Sequence, residues 1–337
     1  MTTVSPSFRV AAAISGEGPK MEYGFSVPTR GPMATPANMA LLAKRGEGMG
    51  FEIINVSDHI VIPRAIASTY PYSPTGEFAG TGECLEQLTT LSFLAGQTSS
   101  VRLLSSVMVL PHRSPVLTAK ILATIDVLSG GRLTVGCGVG WMKEELEAIG
   151  APPYEERGRV GDEYIRAFKE LWTSASPSFK GDYCEFDDIL FEPKPVQKPH
   201  PPIWIGGESP PALRRAARLG DAWYPIGSNP RFPVSNAKEY ADSVARVRRY
   251  AEEAGRDPYE IGLAYNPGWY NDREAERGPD GQRRTFTGTP QQVADDIKTF
   301  EELGVRSLIV RMQGSTVDDM HESMQWFTDK VRPLAEA

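Results

Sequence analysis

The chain has 337 residues, 40% of them hydrophobic and 23% charged, and carries a net charge of −7. That length fits two ordinary domains or one large α/β barrel, and the acidic balance argues against a nucleic-acid surface. No apolar run approaches the roughly 18 residues needed to span a bilayer, and the stretch AAAI at 11–14 is too short for a secretory core.

Residues 1–20 carry little pattern and read as a flexible tail. From residue 21 a grammar repeats: apolar strand, polar or glycine-containing loop, capped helix, glycine, next strand. Strands are predicted at 22–27, 52–57, 102–107, 132–136, 202–206, 221–224, 260–264 and 307–311. Helices are predicted at 35–49, 83–98, 114–128, 142–173, 209–219, 235–254, 289–303 and 317–331, the fourth broken by Pro152-Pro153. In the third helix Leu117, Ile121, Ile125 and Leu128 repeat at helical spacing. Ser114-Pro115, Ser209-Pro210 and Thr289-Pro290 each set a capping hydroxyl before a first-turn proline, and Gln292 adds a capping box. Gly130, Gly220 and Gly304 stop the corresponding helices.

Strands alternating with helices of this length imply right-handed crossovers and a parallel sheet. Eight such units close most naturally into a single (β/α)8 TIM barrel over 21–333, an open doubly wound sheet being the alternative. In a barrel the long loops 59–82 and 265–287 leave the C-terminal face, where chemistry collects. The first carries Tyr70, Pro71, Tyr72 and Phe78, and the second Trp269 and Tyr270; both suit lids or pocket walls. The 176–201 stretch precedes a strand, so topology assigns it to the opposite face and gives it no role.

The residues able to do chemistry follow strands. Gly136, Gly138 and Gly140 leave a backbone that a flat ring or a phosphate can approach closely. A GxGxG run admits a dinucleotide fingerprint or a loop at a barrel strand end. The mid-chain position, the spacing and the loop at 151–154 disfavour the nicotinamide alternative. Gly206 and Gly207 form a second glycine mouth, with Ser209 and Pro210 opening a helix and Arg214 and Arg215 one turn in, a candidate phosphate seat. Asp58 and His59 directly follow the second strand; an imidazole there can move a proton at neutral pH, although a loop histidine can equally just pack. Ser105-Ser106 and Pro111-His112-Arg113 read by default as strand-end polarity and a solvated turn. The Arg246, Arg248, Arg249 cluster, followed by Glu252 and Glu253, reads as a solvated helix face. Cys84, Cys137 and Cys184 form no CxxC pair and fit a reducing cytoplasm, and the four histidines lack metal-ligand spacing, so no metal site is expected.

Taken together, NVSDHIVIP, LLSSVMVLPHRSPVLTAKILATIDVLSGGRLTVGCGVGW and PPIWIGGESPPALRRAARLGDAW resemble the luciferase-like monooxygenase superfamily, and within it the branch that uses coenzyme F-420, an 8-hydroxy-5-deazaflavin. The resemblance runs from about residue 21 to 330. It implies a homodimeric, cytoplasmic oxidoreductase with a ring cofactor across the strand ends and a small organic substrate. By that resemblance Asp58 contacts the cofactor and His59 assists proton movement. Ser106-Val107 is expected as a non-proline cis peptide backing the ring, with Val109, Gly138, Val139 and Gly140 beside it. Glu144 matches a polar cofactor contact, and Gly206, Gly207, Ser209 and Pro210 match the phosphate segment. Trp141 stands where sugar-phosphate dehydrogenases of the branch carry an acid; with Tyr70 and Trp269 it suits an apolar or aromatic substrate pocket and leaves the general acid unassigned. The alternatives are a two-component FMN-dependent monooxygenase using reduced flavin and O2, and a non-catalytic flavin-binding barrel.

Overall fold

The computed structural model describes residues 20–80, 82–278 and 281–337, so the expected tail lies, apart from Lys20, outside the described residues. The barrel strands are β1 (Glu22–Ser26), β2 (Ile53–Val56), β3 (Arg102–Ser105), β4 (Leu133–Gly138), β5 (Ile203–Gly206), β6 (Ala222–Tyr224), β7 (Gly262–Tyr265) and β8 (Ser307–Val310). Each pairs in parallel with the next, and β8 returns to β1 with Tyr23 opposite Leu308. The sheet is therefore closed, and the open doubly wound alternative falls.

Two packing layers follow from the closure. Ile53, Leu104, Trp204, Ala222, Tyr224, Ala264 and Ile309 fill the interior, and Val107 packs against them at the C-terminal end. The larger apolar layer lies between strands and helices, where Leu103, Val135, Ile205, Trp223 and Leu308 meet Leu91, Leu122, Phe168, Leu213 and Phe300. Burying this surface contributes roughly 25 cal/mol per Å² of apolar area, which is what holds the alternating elements in one body.

Several local expectations are corrected. The strand predicted at 102–107 stops at Ser105; the Ser106-Val107 peptide is cis, and the chain resumes at Met108–Val109 alongside Cys137 and Gly138 of β4. Thr289 caps its helix with the full reciprocal box, whereas Ser114 and Ser209 make no side-chain cap bond and leave the turn to the proline that follows. Gly130 ends its helix in the left-handed conformation, but Gly220 is extended there and is needed for space: an added Cβ would stand 2.7 Å from Ile205.

The third helix, Pro115–Ser129, buries Thr118, Ala119, Leu122, Ala123, Ile125 and Asp126, while Leu117 and Leu128 are 58% and 61% exposed. The spacing identified the helix but not its buried face. The 142–173 helix breaks at the two prolines into Lys143–Ala148 and Arg157–Thr173. The last helix, Val317–Trp326, continues through a wider turn at Phe327–Val331 into Arg332–Ala335. The 176–201 stretch forms a two-stranded hairpin, Phe179–Lys180 with Glu185–Phe186, and Gln197 bonds Asp126 and the Leu133 carbonyl at the N-terminal end of β4, opposite the glycine mouths.

Candidate active site

Val107 joins the two glycine mouths. An added Cβ at Gly138 would stand 2.7 Å from Val107 Cγ2, and one at Gly206 would stand 3.0 Å from Val107 Cγ1. Gly140, at φ +81°, would likewise meet Val109 Cγ1 at 2.8 Å. Real Cβ atoms essentially never come closer than 3.0 Å, so glycine is required at 138 and 140 while Val107 and Val109 keep their places, and at 206 a Cβ would press tightly on Val107. The two patches thus lie at the same end of the barrel, with Ser106, Val107 and Val109 as their shared wall. Ser106 Oγ is held 3.0 Å from the Tyr224 hydroxyl, which lies behind it in the barrel interior.

Beside this wall runs a buried chain of ionisable side chains. Asp58 follows β2 by two residues, and its carboxylate accepts two bonds from Arg113, at 2.7 and 2.9 Å, and one from the Val109 amide at 2.9 Å. Burial alone would raise its pKa, but Arg113 and then His112 hold it well below the usual carboxylate range. His112 Nδ1 lies 3.5 Å from Asp58 Oδ2, and its Nε2 lies 3.8 Å from Glu145 Oε2. Glu145 accepts from the Ile60 amide at 2.7 Å and pairs with His59 Nδ1 at 2.7 Å. Its carboxyl too is lowered against the penalty of burial, chiefly by His59.

His112 and Arg113, which read from sequence as a solvated turn, are therefore internal connectors. Glu145, which sequence reasoning missed, is the carboxylate that orients His59. A signal for it was present: it lies one helical turn past the first glycine mouth, on a helix that starts at the barrel rim. Glu144 turns the other way and ties down the 59–82 loop through the Ala67 and Ser68 amides, at 2.8 and 3.0 Å. Its Oε2 is buried without a hydrogen-bond partner.

The 59–82 loop covers the first mouth with aromatic rings. Trp141 lies 5.0 Å from Tyr70 and 5.3 Å from Phe78, centroid to centroid, and Phe78 lies 5.2 Å from His59. Tyr72 extends the cluster from Tyr70. Two expected members stand elsewhere. Trp269 donates to the Thr285 carbonyl at 2.7 Å and is stacked by Arg284, within its own loop. Arg215 is buried against Asp162 and the Gly158 carbonyl, and Arg214 lies against Tyr250, so both arginines of the phosphate seat are already engaged. What the second mouth offers is Gly206, Gly207 at φ +100° and the start of the Pro210–Leu219 helix with the Ser209 hydroxyl free of a cap bond, while Val139 packs against Gly161.

Among the described residues no helix is long and apolar enough to cross a membrane, and no group of three or more His, Cys, Asp or Glu side chains is arranged to hold a metal ion.

Comparison with known proteins places this geometry. The chain matches the luciferase-like monooxygenase family over residues 21–268. It is 31% identical over 293 residues to an FMNH(2)-dependent dimethylsulfone monooxygenase of Pseudomonas putida, covering 74% of this chain and 78% of that one. Among solved structures it superposes on an F-420-dependent secondary alcohol dehydrogenase with a TM-score of 0.73 at 17% identity, covering 94% and 99% of the two chains. It superposes on the coenzyme F-420-dependent tetrahydromethanopterin reductase of Methanopyrus kandleri with a TM-score of 0.71 at 19% identity, covering 93% and 99%. At those identities the two structures speak for the fold alone. With more than half its length matched and its barrel closed as in those structures, the chain belongs to the luciferase-like monooxygenase family.

Proposed function

We propose that the protein is an oxidoreductase that exchanges a hydride between a small organic substrate and a deazaflavin of the coenzyme F-420 type held at the mouth of the barrel. The observation that carries this reading is Val107, in contact range of both Gly138 and Gly206. Val107 fills the space beside both glycines and so brings the two segments to one wall, which suits one flat ring with a phosphate-bearing side chain. The residues fit such a group: Ser106, Val107, Val109, Gly138, Val139 and Gly140 would back and border the ring. Gly206, Gly207, Ser209 and Pro210 would hold the phosphate at the positive end of a ten-residue helix. Glu144 Oε2 would accept from a donor on the cofactor. The bound ring would supply the hydride-carrying carbon, and the protein positioning, proton handling and exclusion of water.

His59 is the proposed proton-handling residue. With its Nδ1–H donating to Glu145, the neutral ring keeps its lone pair on Nε2, where a proton can be taken or returned. Asp58, with both oxygens turned to Arg113 and the Val109 amide, acts in this reading by holding the bulge in place. Any contact it makes with the cofactor is secondary to that. Trp141, Tyr70 and Phe78 would wall an apolar or aromatic substrate. The exposed Leu117 and Leu128, on one helix face, would be covered by a second copy in a homodimer. The unpaired Cys84, Cys137 and Cys184 are in keeping with the cytoplasm.

A second reading, an FMN-dependent monooxygenase using reduced flavin and O2, is favoured by the Pseudomonas putida relative. Titrating the protein separately with coenzyme F-420 and with FMN decides between them, since the two absorb differently. Tight binding of the deazaflavin alone is expected. Tight binding of FMN alone would transfer the assignment to the second reading, and binding of neither would remove both.

A further inference from the structure

Two arginines stand at the mouth of the barrel without an acidic partner. Arg311 directly follows β8. Val310 and Met312, on either side of it, both pack into the outer apolar layer, so alternation along the chain turns Arg311 inward, over the barrel axis. It stands one residue past the Phe25–Val310 pair, at the level of Ser26, whose hydroxyl donates to Asn55 Oδ1 at 2.8 Å. Arg30 comes from the turn after β1, which Thr29 ties to Ser57 through their hydroxyls at 3.2 Å. Its guanidinium carbon lies 5.2 Å from the centre of the Phe78 ring, and an added Cβ at Gly80 would stand 2.8 Å from its Nη1. Arg30 Nε is buried without a hydrogen-bond partner. Among the described residues no hydrogen bond or ion pair engages either guanidinium.

Other arginines near the site are held by the protein itself: Arg113 by Asp58 and Glu86, Arg157 by the Gly140 carbonyl, Arg284 by Glu276. A guanidinium drawn under a loop of aromatic rings loses water, and nothing on the protein compensates Arg30 Nε. In a chain of net charge −7, two such cations at one end of the barrel mark a place for an anion. Strands β1 and β8 lie across the barrel from β4 and β5, which carry the two glycine mouths. Phe78 links the cations to the proposed chemistry, since the ring that faces Arg30 lies 5.2 Å from the His59 ring.

We propose that Arg311 and Arg30 bind a carboxylate on the substrate, so that the substrate class is an organic acid with an aromatic or apolar body. The planar fork of a guanidinium matches the two oxygens of a carboxylate, and Tyr70, Phe78 and Trp141 would take the rest of the molecule. The inference rests on the reading above in taking the aromatic loop as the wall of the substrate pocket. The Tyr70 phenol, pushed up by burial, is drawn back by Arg30 and Arg311, in keeping with both cations facing that wall.

A phosphate or carboxylate on the cofactor offers the same oxyanion chemistry, so the test has an arm for each source. Without cofactor, calorimetric titration of the full-length chain at neutral pH compares benzoate with benzamide and 3-phenylpropanoate with 3-phenylpropanamide. Each acid is expected to bind about tenfold or more tightly than its amide. That preference should fall several-fold in Arg311→Gln, an exposed position, and vanish when Arg30→Gln is added, while coenzyme F-420 and FMN bind the variants as they bind the native protein. Equal affinity for acids and amides, binding of neither, or a preference that survives Arg311→Gln would overturn the proposal. Weakened cofactor binding with the acid preference intact would assign the two arginines to the cofactor and overturn it as well. Failure of both cofactors to bind the native protein would remove the reading above and leave the acid–amide comparison standing.

Discussion

Glu145 Oε2 lies 2.7 Å from His59 Nδ1, although 86 positions separate the two in the chain, and both side chains are buried. The carboxylate is held in turn by the Ile60 amide, so the imidazole is oriented by a group that is itself fixed. This pairing, rather than the neighbouring Asp58, sets which ring nitrogen of His59 remains free.

The first prediction follows from that pairing. His59→Ala should lower kcat by roughly 10²–10⁴-fold, the usual contribution of a proton-transfer group, while leaving cofactor affinity nearly unchanged. Glu145→Gln keeps a hydrogen-bonding shape but loses the charge, and should lower kcat by about tenfold or more through loss of orientation. Steady-state kinetics paired with a cofactor titration reads both. Undiminished turnover in His59→Ala would remove His59 from the chemistry.

Asp58 and Arg113 make a different prediction, about stability. Their side chains are 0% and 12% exposed, and removing one partner strands the other charge. Arg113→Met should cost about 3–5 kcal/mol in urea unfolding. Because the Asp58 carboxyl is depressed in the folded state, its contribution is present above about pH 4, the unfolded aspartate range, and is lost as pH falls below it. Asp58→Asn should flatten that acid limb, and an unchanged acid limb would contradict the assignment.

The Val107 wall predicts a coupling. Gly138→Ala forces a methyl group to within 2.7 Å of Val107, so it should destabilise the protein by about 1–3 kcal/mol. In Gly138→Ala with Val107→Ala the space returns, and the two effects should cancel in part. Simple additivity in a double-mutant cycle would show that the residues do not share this contact.

The exposed face of the Pro115–Ser129 helix predicts assembly. Replacing Leu117 and Leu128 together with lysine should convert a dimer to a monomer in light scattering, with the fold retained by circular dichroism. A native chain that is already monomeric would remove the homodimer from the account.

Much of this was legible in the sequence because it depends on local rules. Hydrophobic runs of strand length, capping residues and glycine stops located all eight barrel strands to within two residues at every end. The glycine mouths stood out because bare backbone has a distinctive composition. What the sequence could not carry were contacts set by closure of the barrel. His112 looks like a turn residue until β3 and β4 bring it between Asp58 and Glu145, and Arg215 looks available until the Arg157–Thr173 helix supplies Asp162. Glu208 reads in the sequence as one polar residue between a glycine pair and a helix, and only its burial against the Ile226 amide and the Asn229 side chain distinguishes it. Helical periodicity located Pro115–Ser129 but not its inward face, which holds Leu122 and Ile125 together with Thr118, Ala119 and Ala123, while Leu117 and Leu128 point outward.

The central claim, that the mouths at Gly138 and Gly206 serve one flavin-type ring against Val107, is tested most directly by a crystal structure of the protein with its tightest-binding flavin or deazaflavin. The account predicts a single ring lying on the Ser106–Val107 step with both glycine segments in contact with the cofactor. A ring bound away from Val107, or a cofactor touching only one of the two mouths, would contradict it.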